Sequence, residues 1–99
     1  MSKAYLLVHS TEFGSREQVK AYLDSMQEIQ RWRYDMPQSF YIISEYNADY
    51  LAQRLRTLSN GKGRFIVTEL STNKQEWLTE ESWYLINNKV YKPESTKSA

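Results

Sequence analysis

The chain has no cysteine among its 99 residues. Disulfides, thiolate metal sites and cysteine redox chemistry are therefore excluded, and noncovalent packing alone must hold the fold. There is 1 histidine, His9, which rules out a two-histidine metal site and leaves any triad or proton relay to that residue. The 3 glycines form neither a phosphate loop nor a nucleophile elbow. Long apolar runs are missing too. The longest, Ala4 to Val8, is far below the ~20 residues of a spanning helix, and no basic-then-apolar leader opens the chain, so a soluble cytoplasmic protein is expected. Nor does one sign of charge prevail, since 13 basic and 12 acidic side chains leave a formal charge of +1. Such a chain has no global field to gather nucleic acid or anionic lipid, and binding either would require a local patch.

What is plentiful is aromatic. The 3 tryptophans, 8 tyrosines and 3 phenylalanines exceed the needs of a core this size, so part of them is expected in contacts. The length supports one core. We expect a single domain over residues 1–91 and a disordered tail over 92–99.

The pattern of elements is legible along the chain. Ala4-Tyr5-Leu6-Leu7-Val8-His9 is an apolar run without helical period and reads as a strand. Ser15 with Gln18 makes a capping box, after which Val19, Tyr22, Leu23 and Met26 recur at helical spacing, predicting a helix from about Arg16 to Gln27. Ile29 to Tyr34 and Ser39 to Glu45 read as a hairpin around Asp35-Met36-Pro37. Asn47 caps a second helix with the stripe Ala48, Leu51, Leu55 and Leu58, stopped by Asn60-Gly61-Lys62-Gly63. Arg64 to Leu70 is a fourth strand. Thr79 with Glu80 and Glu81 starts a third helix ending near Asn87-Asn88. The order β-α-β-β-α-β implies an α+β fold, a ferredoxin-like antiparallel sheet with two helices on one face, an open second face and an added C-terminal helix. Alternation puts Arg31 and Arg33 on one side of the second strand and Trp32 and Tyr34 on the other, with Trp32 inward the cheaper arrangement.

Chemistry-bearing residues are few. His9 at a strand end and Asp35 at the hairpin mouth are weak candidates for catalysis or metal binding; a structural histidine and a turn aspartate are the simpler readings. Glu76, Glu80 and Glu81 favour a helix start without needing a function. Lys62-Gly63-Arg64-Phe65 is similar to the opening of an RNA-recognition signature, but it lies on the fourth strand and Arg64 displaces the first stacking aromatic.

Lys3 through Val8, the hairpin Arg31-Trp32 through Ile43, and Phe65 through Leu70 followed by Trp77 and Glu81-Ser82-Trp83 resemble the small SinR-like bacterial proteins, relatives of the Cas-two-type CRISPR adaptation subunit and of VapD toxins. The resemblance implies a ferredoxin-like domain that dimerises through its sheet. In nuclease members it implies a metal-binding aspartate at the end of the first strand, where this chain has Ser10. A neutral hydroxyl cannot replace carboxylates that concentrate a divalent cation. The expectation is therefore a non-catalytic homodimeric interaction module without cofactor or metal. Trp32, Tyr34, Tyr41, Trp77 and Trp83 are its interface candidates, while for Trp77, Trp83, Tyr84 and Tyr91 the simpler reading is a segment that folds over the sheet edge and caps the core. A nucleic-acid scaffold using Arg31, Arg33, Lys62 and Arg64, and a metal-dependent nuclease using His9 or Asp35, are the alternatives. Another protein is a possible partner; a membrane is not.

Overall fold

The computed structural model describes residues 1–71 and 78–93. Over these the chain runs β1 (Lys3–His9), α1 (Arg16–Ser25), β2 (Ile29–Arg33), β3 (Ser39–Ser44), α2 (Ala48–Leu58), β4 (Phe65–Glu69) and α3 (Glu80–Asn88). The strands form one antiparallel sheet in the order β2-β3-β1-β4. Trp77 and the end of the chain, 94–99, lie outside the described residues. No helix among the described residues is long and apolar enough to cross a membrane.

The helices start where side chains can take up orphan N–H groups. Ser15 accepts from the Gln18 N–H while the Gln18 side chain accepts from the Ser15 N–H. Asn47 accepts from the Tyr50 N–H, and Thr79 from the Ser82 N–H. α1 stops at Ser25, slightly short of the expected end, because Met26 turns to extended backbone and enters the core 2 % exposed. α2 ends through Asn60 and Gly61, both left-handed, at φ 58° and 72°. Gly63, at φ 68°, crosses the Glu12–Phe13 backbone so closely that a Cβ there would lie 2.2 Å from the Phe13 nitrogen. No larger residue fits this crossing, which brings β4 back beside β1.

One core lies between the sheet and the first two helices. Tyr5, Leu7, Phe40 and Ile42 meet Val19 and Leu23 of α1 and Leu51 and Leu55 of α2. A second lies on the opposite face, where Leu85 and Ile86 of α3 pack on Ala4, Tyr41 and Ile43. The expected open face is thus corrected. β3 is apolar on both sides, with Phe40 and Ile42 pointing one way and Tyr41 and Ile43 the other, and all six of its residues are buried. An apolar second face of this kind requires cover, and α3 supplies it. Among the described residues the β1–β4 margin stays exposed, where the cross-strand partners Val8 and Ile66 are 43 % and 64 % exposed.

Candidate functional site

Three alternate side chains of the β2 segment form a polar ladder under α3. Asp35 accepts from the Thr79 hydroxyl at the helix N-cap, 3.1 Å. Arg33 Nε donates to Ser82 Oγ at 2.7 Å, with its guanidinium 4.0 Å from Glu81. Arg31 reaches the carbonyl of Lys89 at the helix C-cap, 3.4 Å. Each charge suits its place, since a carboxylate stabilises a helix N-terminus and a guanidinium its C-terminal carbonyls. Beyond α3, the Tyr91 hydroxyl receives the Trp32 N–H at 3.1 Å and donates to the Trp32 carbonyl at 2.8 Å. Lys92 pairs with Glu80 at 2.7 Å and holds its carboxyl below the ordinary range by hydrogen bond and charge.

This arrangement gives most of the sequence-derived residues internal partners. Trp32 faces the helices, the cheaper of the two arrangements that alternation allows; its Nε1 donates to Asp24 at 2.8 Å and its ring meets Phe40 edge-on at 5.6 Å. Tyr34 also packs on Phe40, while the Arg16 guanidinium carbon sits 4.4 Å from its ring centre. Tyr41 is buried in the second core. Trp83, on the outer side of α3, is 50 % exposed. Arg31 and Arg33 lie under α3, away from Lys62 and Arg64 at the start of β4, so the four cations do not make one surface.

The catalytic candidates are likewise kept apart. His9 is buried on the helix side, its ring 5.5 Å from that of Phe13 and 6.0 Å from that of Phe40, with Nδ1 2.9 Å from the Ser10 carbonyl. Asp35 is on the α3 side of the sheet. Among the described residues no group of three histidine, aspartate or glutamate side chains could hold a metal ion. Ser10 clamps the two strands: its N–H donates to the Arg64 carbonyl at 2.9 Å and its hydroxyl accepts the Arg64 N–H at 3.0 Å.

A groove of about 820 Å³ lies between the flank of α2 and the outer edge of β4. Val8, Ile66 and Val67 line it with apolar surface. The short connection 59–64 puts the last turn of α2 beside the start of β4, so Arg56, Lys62 and Arg64 gather at one end of the groove. Asp49, in the first turn of α2, lies at the other, near the Glu69 end of β4. Burial, followed by the Glu69 carboxylate, raises the Tyr5 phenol above its ordinary pKa.

Comparison of the chain with protein-family models, curated proteins and solved structures gives no match. The geometry of the groove and of the two sheet edges therefore carries the functional argument.

Tyr91 belongs to the aromatic C-terminal segment read as folding over the sheet edge, but nothing local names Trp32, 59 positions away, as its contact. Arg56 reads as a solvated helix position. Its place beside Lys62 and Arg64 follows from the tight return into β4.

Proposed function

We propose that this chain is a non-catalytic, homodimeric interaction module in a ferredoxin-like frame. The observation that carries the reading is the contrast between the two sheet edges. On β2 the backbone groups of Trp32 are held by Tyr91, whereas β4 is, among the described residues, an outer strand bordered by a groove and by the exposed pair Val8 and Ile66. An unsealed edge with apolar surface beside it is a surface shaped for contact. The strand order β2-β3-β1-β4 with two helical crossovers supports the ferredoxin-like frame. The resemblance of its hydrophobic pattern to that of SinR-like and Cas-two-type proteins is in line with this frame. The separation of His9 from Asp35 by the sheet, and the use of Ser10 as a strand clamp, support a role without catalysis. Trp83 on the outside of α3 offers a further anchor for a protein partner.

A second reading, nucleic-acid binding, is favoured by the meeting of Arg56, Lys62 and Arg64 at one end of the groove. Three phosphate contacts would give a log–log salt slope of about −3 on duplex DNA. Sedimentation velocity of the purified chain, with and without a DNA duplex at two salt concentrations, separates the readings. A dimer indifferent to DNA is the expected outcome. A monomer that binds duplex with this slope would replace the first reading by the second.

A further inference from the structure

We infer that the homodimer forms by antiparallel pairing of β4 with β4 of a second copy, making one continuous eight-stranded sheet with Ile66 opposite Ile66 of the other copy. This rests on the homodimeric reading above and assigns its surface, symmetry and register.

The phase of the β1–β4 ladder decides which backbone groups are free. The Ser10 N–H donates to the Arg64 carbonyl, and the Leu70 N–H to the Ala4 carbonyl, at 2.9 and 2.8 Å. In an antiparallel pair, inward and outward backbone groups alternate by residue. Arg64, Ile66, Thr68 and Leu70 therefore direct theirs at β1, while Phe65, Val67 and Glu69 direct theirs away from the sheet. Among the described residues no strand pairs with that side. The opposite edge of the sheet cannot serve in the same way, because both backbone groups of Trp32 are held by Tyr91.

Charge argues for a second copy as the occupant. Arg56, Lys62 and Arg64 line one end of the groove and Asp49 lines the other, with Glu69 at the end of β4 on the Asp49 side. Asp49 and Arg56 are separated by about 10 Å along the helix. A two-fold axis across the middle of β4 brings the cationic end of each copy to the anionic end of the other. An edge of one sign would repel its own copy.

The register follows from the exposed side chains. Ile66, 64 % exposed, pairs with itself at a non-hydrogen-bonded position, where facing side chains come closest. The outward groups of Phe65 then meet those of Val67 in the other copy, and Glu69 falls opposite Gly63, between Lys62 and Arg64. Val8 and Ile66 of both copies join into one apolar strip across the axis.

Because the chain has no native cysteine, Ile66→Cys gives a direct test. Non-hydrogen-bonded partners lie about 4.5 Å apart at Cα, inside the range a disulfide spans. Oxidation should convert this variant to covalent dimer far faster than Met36→Cys at the exposed hairpin. Ile66→Lys sets two ammonium groups face to face and removes the apolar contact. Being at an exposed position, it should leave the circular dichroism unchanged while weakening the dimer by about tenfold or more. If the wild type sediments as a dimer but Ile66→Lys associates equally well and Ile66→Cys cross-links no faster than the control, β4 pairing is wrong while the homodimeric reading stands. If the wild type is a monomer from low micromolar to submillimolar concentration, both fall.

Discussion

The Tyr91 hydroxyl bridges the N–H and the carbonyl of Trp32, at 3.1 and 2.8 Å. Outward backbone groups of an edge strand invite another strand, and a side chain that occupies both donor and acceptor withdraws the invitation. Together with α3 it leaves β4 as the open edge of the sheet among the described residues.

Tyr91→Phe keeps the ring and removes the bridge. The expected loss is about 1 kcal/mol, or some 4–8 °C in Tm for a domain this size. The β2 edge is also opened, so light scattering on prolonged incubation should rise relative to wild type. Unchanged stability together with unchanged scattering would show that the bridge has no role in solution.

Arg33→Met retains an apolar stem under α3 but gives up the hydrogen bond to the buried Ser82 hydroxyl. A loss of about 1.5 kcal/mol is expected, concentrated in the C-terminal helix. Amide hydrogen exchange is the suitable measurement. Protection should fall over residues 82–88 while the strands β1 and β3 exchange as before, and uniform loss across the chain would contradict a local docking role.

Gly63→Ala should be far more damaging than Gly61→Ala, although both glycines have positive φ. At Gly61 an added Cβ meets nothing within 4 Å, whereas at Gly63 it collides with the Phe13 backbone. The first change is expected to cost about 1 kcal/mol and the second more than ~2 kcal/mol. Equal effects in denaturant unfolding would remove the crossing as the reason for glycine.

Glu28 gives the fold a pH dependence. Burial pushes its carboxyl up, but a backbone hydrogen bond and the Arg54 guanidinium, 3.0 Å away, prevail and hold it below the ordinary carboxylate range. A lowered folded-state pKa contributes stability that is present above the unfolded value, ~4.3, and is lost as pH falls through the folded one. Glu28→Gln should therefore be less stable than wild type at neutral pH by about 1 kcal/mol, with the two Tm curves converging below about pH 4. Parallel curves throughout would argue against this pair as a source of acid sensitivity.

The sequence by itself determined the elements and their order. Apolar period, the caps Ser15, Asn47 and Thr79, and the left-handed stop at Asn60-Gly61 act within a few residues of the backbone they shape, so they can be read locally. That Trp32 and Arg31 lie on opposite sides of the sheet was legible for the same reason, because a strand alternates with period two; which side meets the helices was not. The tertiary structure alone decided what the second sheet face does. Tyr41 and Ile43 show that this face is apolar, but whether α3, a partner or nothing covers it depends on the path of a chain segment more than 30 positions away. The same holds for the cations. Arg31 and Arg33 become fastenings for α3, and Arg56 joins Lys62 and Arg64, because long-range packing brings side chains together at distances no local spacing records.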